Sequence, residues 1–183
     1  MRLFEYEAKT LLKNYGIPIP PAKLIHSAEE VVIEQPSVLK AQVPSGGRKK
    51  AGGVEFVNDQ AEAVRAALKM FKMTLKGYPV ENLLVEDRIS IQKEVFLAVT
   101  YDTASKSPIV IFSSEGGIDI EELAKTHPEK VLKETFGARR SFMEFQARNI
   151  GIAGGLKGKE LMDVSAILQR VGIIDRVHTL TLI

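Results

Sequence analysis

The sequence of 183 residues contains no cysteine and only three histidines. The missing cysteines exclude disulfides, thiolate metal sites and cysteine nucleophiles, and they fit a cytoplasmic setting. No histidine has the i, i+4 partner of a helical metal site, so we assign none a catalytic role. The charged N-terminal stretch has no long apolar run, which predicts neither a signal peptide nor a membrane span. The net charge of +2 is too small to indicate a nucleic acid or a membrane as partner.

Hydrophobic residues make up 45% and charged residues 26% of the chain, which is typical of one ordinary globular domain or two small ones. The residue pattern predicts an α/β chain that is strand-rich up to about 113 and helix-rich after it. Predicted helices cover 4–15, 59–71, 119–125, 128–136, 141–149 and 158–171. Predicted strands cover 22–25, 37–43, 54–57, 83–85, 94–101, 109–112 and 176–183.

The most informative stretch runs from Val38 to Gly53 and reads VLKAQVPSGGRKKAGG. Its glycines let backbone N–H groups approach an anion closely, and Arg48, Lys49 and Lys50 supply positive charge. Lys40 lies in an apolar strand and needs a partner, for which a nucleotide phosphate would serve. The alternatives are a hairpin turn with a solvated basic tip, and an edge strand with Lys40 on its solvent side.

Two further features suggest ligand binding. Glu86 and Glu94 are spaced so that they could surround a nucleoside, although surface carboxylates are commoner. The candidate ligand loop follows the strand 109–112 and includes Ser114, Glu115, Gly116 and Gly117; a plain turn would look similar. Neither a Walker A pattern nor a GxGxxG fingerprint is present. The residues alone therefore predict a phosphate-binding α/β domain.

Four segments in order resemble the β subunit of succinyl-CoA synthetase, a CoA ligase of the tricarboxylic acid cycle. They are MRLFEYEAKTLLKNYGIPIP, VLKAQVPSGGRKKAGGV, LLVEDRISIQKEVFLAV and SSEGGIDIEELA. The resemblance covers residues 1–135 and is traceable to about 171. It implies an ATP-grasp fold of two lobes: an N-terminal helix and linker (1–21), a nucleotide-binding lobe (22–105) and a second, incomplete lobe (106–183).

By this resemblance, Lys40 contacts the phosphates of ATP, and Gly47, Arg48 and Lys49 cover them as a flexible loop. Glu86 and Glu94 hold the adenine hinge region and the ribose, and Pro20 favours ATP over GTP. Family members interconvert succinate, CoA and ATP with succinyl-CoA, ADP and phosphate. The phosphoryl group passes through a histidine of the partner α subunit, so no catalytic residue is expected here.

The sequence departs from the family pattern at two places. The family loop usually reads GGRGKAGG, and Lys49 replaces a glycine of it. The family's Mg²⁺ ligands, an asparagine and a later aspartate, have no counterparts in this sequence. We therefore expect no metal ligands and a truncated or frameshifted chain, poorly active alone. The alternatives are a related ligase, such as an ADP-forming acetyl-CoA synthetase or a malate–CoA ligase, and a non-catalytic nucleotide-binding or interaction module.

Overall fold

The computed structural model describes residues 3–137 and 142–178, with side chains up to 174. Contacts divide the described chain into two compact units. The N-terminal unit comprises residues 3–14 and 18–90, and the C-terminal unit comprises residues 15–17 and 91–178. This division falls between Ser90 and Ile91, whereas the boundary suggested by the sequence, between 105 and 106, lies in a turn between two paired strands.

The described chain contains both helices and strands, with most strands before Ile120 and most of the helical residues after it. The helices are α1 (Glu5–Asn14), α2 (Gln60–Met70), α3 (Ile120–Thr126), α4 (Glu144–Ala153) and α5 (Gly158–His178). The strands are β1 (Ala22–Ile25), β2 (Ser37–Ala41), β3 (Val54–Val57), β4 (Thr74–Leu75), β5 (Tyr78–Pro79), β6 (Leu83–Asp87), β7 (Phe96–Asp102), β8 (Ser107–Ser113) and β9 (Leu132–Thr135). Single 3₁₀ turns occupy Ala28–Glu30 and Pro128–Lys130.

The N-terminal unit is built on an antiparallel sheet with strand order β1-β6-β2-β3. Strand β2 lies inside this sheet, and Lys40 pairs in register with Leu84 of β6 and Val54 of β3. The solvated edge strand considered for Lys40 is therefore wrong. The β2–β3 hairpin predicted around the glycine loop is confirmed. Because side chains alternate along a strand, Lys40 and Glu86 point to one face of the sheet and Leu39 to the other.

Helix α2 covers the apolar face of this sheet. Its first turn is capped by Asp59, whose carboxylate accepts a hydrogen bond of 2.8 Å from the Glu62 backbone N–H. Ala63, Ala67 and Met70 follow at helical spacing and are completely buried. They join Leu39, Leu83 and Val85 in one hydrophobic core, which fixes the sheet and the strand that carries Lys40.

The C-terminal unit contains the antiparallel sheet β7-β8-β9, packed against α4 and α5. The helix predicted over 128–136 is wrong: a 3₁₀ turn over Pro128–Lys130 is followed by strand β9. Lys133 and Thr135 are exposed and their neighbours are not, which is the period-two pattern of a strand. Pairing with β8 satisfies the backbone groups on one side of this edge strand.

Helix α5 is longer than the sequence pattern predicts. It was expected over 158–171, but its backbone continues to His178. The strand predicted over 176–183 is therefore wrong for 176–178, and 179–183 lie outside the described residues. None of the helices within residues 3–137 and 142–178 combines the length and the hydropathy that are needed to cross a membrane.

Candidate functional site

The polar face of the N-terminal sheet opens into a cleft of about 570 Å³ beside the glycine loop. Its lining contains the end of β2, the start of α1 and the loop itself. The lining residues are Leu3, Glu5, Lys40, Val43, Ser45, Gly46, Gly47, Arg48, Lys49 and Val54. The structure thus brings together four of the residues singled out from the sequence, Lys40 and the loop residues 47–49.

Lys40 is half-buried at this cleft and has two carboxylate partners. Its ammonium donates to Glu86 at 2.7 Å and to Glu5 at 3.0 Å. Glu86, which was expected at the adenine hinge region, is 6% exposed and faces Lys40. The charge on Lys40 is therefore compensated within the protein, and its side chain, 21% exposed, still lines the cleft.

Arg48 reaches back from the glycine loop to the body of the unit. One guanidinium nitrogen donates to the backbone carbonyl of Ala41 at 2.8 Å, and another donates to Glu5 at 2.7 Å. These contacts fasten the loop to the end of β2 and to the first turn of α1. Charge-assisted hydrogen bonds of this kind are stronger than neutral ones.

Lys9 completes a network of three cations and two carboxylates. Its ammonium lies 3.1 Å from Glu5 and also pairs with Glu86. Burial would raise the pKa of the Glu5 carboxyl, but Lys40, with Lys9 and Arg48, lowers it from 4.5 to about 2. Burial, together with the positive charge of Lys40, lowers the pKa of Lys9. Glu5 is therefore ionised at neutral pH. By formal charge, the three cations and two carboxylates of the network leave a surplus of one positive charge.

The glycine loop folds back on itself through turns. Gly53 N–H donates to the Arg48 carbonyl at 2.8 Å, and Gly47 and Gly52 have left-handed backbones with φ of +71° and +77°. In the described part of the chain only Lys76 and Lys106 have positive φ without being glycine. Lys49 therefore fits its position without backbone strain, although the family has glycine there.

A short hairpin, β4–β5, supports the loop from one side. The Lys76 ammonium donates to the Gly46 carbonyl at 2.6 Å. A Cβ built on Gly53 would lie only 2.6 Å from a methyl carbon of Leu75, so glycine is needed for this close packing. Within the described residues, the N–H groups of Gly46, Gly47 and Lys49 make no hydrogen bond to the protein. They remain free to bind an anion.

The remaining predicted residues lie in the C-terminal unit. Glu94 is exposed, and its backbone carbonyl accepts a hydrogen bond of 3.0 Å from Gly116 N–H. A Cβ on Gly116 would lie 2.6 Å from the Glu94 carbonyl carbon, and one on Gly117 would collide with the Glu94 carboxylate. Glu115 pairs with Lys130 at 2.6 Å on the surface. The structure thus joins Glu94 to the candidate ligand loop, and places Glu86 in the other unit.

Comparison with known proteins agrees with this geometry. The model of the ATP-grasp domain family matches residues 2–182. This chain belongs to the ATP-grasp family. The fold agrees with that of the dinucleotide-forming acetyl-coenzyme A synthetase 1 of Ca. Korarchaeum cryptofilum, with a TM-score of 0.72 and 24% identity over 94% of this chain and 79% of that chain. The predicted ATP-grasp fold is therefore confirmed.

The resemblance to CoA ligase β subunits is confirmed as well. The succinate–CoA ligase [ADP-forming] subunit beta of Methanocaldococcus jannaschii is 38% identical over 174 residues, which are 93% of this chain and 48% of that protein. The corresponding subunit of Ignicoccus hospitalis is 42% identical over 172 residues, 91% of this chain and 46% of that protein. This ATP-grasp chain spans about half the length of the curated relatives it matches.

Sequence reasoning missed Glu5, which lines the cleft, and two residues that contact its lining, Lys9 and Lys76. Glu5 and Lys9 were used only as part of the N-terminal motif, and Lys76 not at all. The i, i+4 spacing of Glu5 and Lys9 signals a pair on one helix face, but nothing local indicates that this face meets β2 and β6. Across the described residues, no group of three or more His, Cys, Asp or Glu side chains could hold a metal ion.

The lowered pKa of Glu5 predicts a pH-dependent contribution to stability. A carboxyl whose pKa falls from 4.5 to about 2 on folding stabilises the folded state above pH 4.5, and this contribution is lost as the pH falls toward 2. We expect Glu5→Gln to cost about 2–3 kcal/mol of unfolding free energy at pH 7 and progressively less below pH 4.5. Urea unfolding of both proteins between pH 7 and pH 2.5 measures this difference.

Carboxyls outside the network titrate equally in both proteins, so the difference between them reports on Glu5 together with Glu86, which shares Lys9 and Lys40 with it. If the difference in unfolding free energy between the two proteins stayed constant down to pH 2.5, the cationic neighbours of Glu5 would not lower the pKa of its carboxyl.

Proposed function

We propose that this chain binds ATP or ADP in the cleft beside the glycine loop, as the nucleotide-binding part of a CoA ligase β subunit. The observation that carries the proposal is that the half-buried Lys40 lines the same cleft as Gly46, Gly47 and Lys49, whose N–H groups have no protein acceptor among the described residues. Lysine and free backbone N–H groups together form the usual binding arrangement for phosphate oxygens.

The charge at the cleft supports an anionic ligand. Lys9, Lys40 and Arg48 are opposed by Glu5 and Glu86, which leaves one net positive charge. The exposed Lys49, which lines the cleft, and the exposed Lys50 beside it add positive charge. A cleft with this surplus attracts polyphosphate more strongly than a neutral nucleoside.

The role in the whole protein follows from the relatives. Two of them are named subunit beta of succinate–CoA ligase, ADP-forming. We infer that the nucleotide is coupled to the formation or breakdown of succinyl-CoA, together with an α subunit that carries the phosphohistidine. The use of Mg²⁺ by the whole protein stays a prediction, as does the weak activity of this chain alone. A related acyl-CoA ligase is the alternative, because an acetyl-coenzyme A synthetase shares the fold.

Replacing Lys40 with methionine tests nucleotide binding. Methionine keeps the length and the apolar stem of lysine and removes the charge. We expect the Kd for ATP to rise about 10–100-fold, as is typical when a charged group loses its hydrogen bond. Calorimetric titration of ATP into both proteins, with and without Mg²⁺, measures the change. Lys69→Met is the matched control, because Lys69 pairs with Glu55 and does not line the cleft.

An equal effect of both substitutions would show that the cleft is not the phosphate site. A folded wild-type chain that binds neither ATP nor ADP would instead support an interaction module that lacks nucleotide chemistry.

A further inference from the structure

Glu5, the first residue of helix α1, contacts three cationic side chains. One of its carboxylate oxygens contacts both lysines of the network, Lys40 at 3.0 Å and Lys9 at 3.1 Å. The other accepts a hydrogen bond of 2.7 Å from Arg48. A single carboxylate thus links the central strand of the sheet to the glycine loop.

The contact with Arg48 holds the loop at a defined place. The guanidinium is 20% exposed and is fixed at two nitrogens, by Glu5 and by the Ala41 carbonyl. The Arg48 carbonyl in turn accepts hydrogen bonds from Ala51 at 3.1 Å and from Gly53 at 2.8 Å. Fixing this residue therefore fixes the turn that closes the loop.

Glu5 is itself held in place by helix α1. The neighbouring Tyr6 N–H donates to the Gln42 side chain at 3.2 Å, and Lys9, one turn further on, pairs with Glu86 of β6. These contacts attach α1 to the sheet at several points. The backbone from which the Glu5 side chain extends is therefore fixed relative to the sheet.

We propose that Glu5 is a positioning residue that anchors the glycine loop through Arg48 and orients Lys40, so that the loop is formed before a ligand arrives. The part of this proposal that concerns phosphate binding rests on the proposed function. The part that concerns the anchoring of the loop is independent of it. Preorganisation of this kind lowers the entropic cost of binding.

A different role is conceivable for a carboxylate beside two cations: it could stand in for a phosphate and leave when the nucleotide binds. In that case, removing its charge would strengthen ATP binding. Anchoring predicts the opposite, because a loop that is released must be ordered again on binding. The sign of the change in affinity therefore separates the two roles.

Limited proteolysis tests the anchor without any nucleotide. Trypsin cleaves after lysine and arginine, so cleavage after Arg48, Lys49 and Lys50 reports release of the loop. Cleavage after Lys69 in helix α2 reports unfolding of the unit. We expect Glu5→Gln to raise the loop cleavage rate about tenfold relative to the rate after Lys69. Mass spectrometry of the early fragments gives both rates. Glu144→Gln, which breaks an exposed pair with Arg148 in the C-terminal unit and touches neither cleavage site, is the control and should leave the ratio unchanged.

An equal rise in the cleavage rates in the loop and after Lys69 would mean that Glu5 only stabilises the unit. The proposal that Glu5 anchors the loop would then be refuted. If Glu5→Gln does not fold, Arg48→Lys keeps the charge but is too short to make both contacts, and it should raise the same ratio. In ATP titrations Glu5→Gln should bind about tenfold more weakly, and tighter binding would overturn the proposal. If no form binds ATP, the proposed function fails, and the proteolysis result still decides on the anchor.

Discussion

Replacement of Glu86 by alanine is expected to lower the unfolding free energy of the N-terminal unit by roughly 3–5 kcal/mol, the usual effect of removing one partner from a buried ion pair. Glu86 is 6% exposed and accepts from both Lys40 and Lys9. Without it, two half-buried ammonium groups share the single carboxylate of Glu5. Hydrogen exchange of peptides from β2 and β6, measured by mass spectrometry, reports the stability of this unit.

The control for this prediction is Glu55→Ala. Glu55 pairs with Lys69 at 2.6 Å, but Lys69 is 65% exposed, and surface pairs contribute only about 0–1 kcal/mol. A loss for Glu86→Ala no greater than that for Glu55→Ala would contradict the description of the network as buried and mutually dependent.

Replacement of Phe112 by alanine should destabilise the C-terminal unit by about 3–5 kcal/mol. The Phe112 side chain is completely buried in the core between the sheet and helices α4 and α5. Gly154 packs against its ring, since a Cβ at that glycine would lie 2.6 Å from a ring carbon. Alanine would leave a cavity that the rigid neighbours cannot fill. Hydrogen exchange of the β7–β9 peptides measures the loss.

Phe145→Ala is the matched control, because Phe145 lies on α4 in the same unit but is 61% exposed. We expect it to change stability by less than about 0.5 kcal/mol. Similar losses for both phenylalanines would show that the core of this unit is not centred on Phe112.

Elements with a local signal were predictable from the sequence. Asp59 is a helix cap followed by apolar residues at helical spacing, and α2 begins just after it. The hairpin around the glycine loop follows from two short apolar runs separated by turn residues. In both cases the interactions that define the element lie within a few residues of one another.

Elements that depend on distant partners were not predictable. Residues 128–136 contain good helix formers, yet β9 forms because β8 offers a row of backbone partners. The same holds at the site. Lys40 was recognised as a lysine that needs an anion, but Glu5, 35 residues away in the sequence, was not identified as one. Contacts over such separations are decided by tertiary packing, which no local pattern encodes.

The charged side chains at the cleft fall into two groups that differ in exposure, and the first group is the network of Glu5, Lys40 and Arg48. Its side chains are only 17–21% exposed, so dissolved salt screens their interactions weakly. Lys49 and Lys50 are exposed, and salt screens them strongly. Raising the ionic strength therefore weakens mainly the attraction between a polyphosphate and the exposed lysines of the loop. The geometry of the network formed by Glu5, Lys40 and Arg48 is retained.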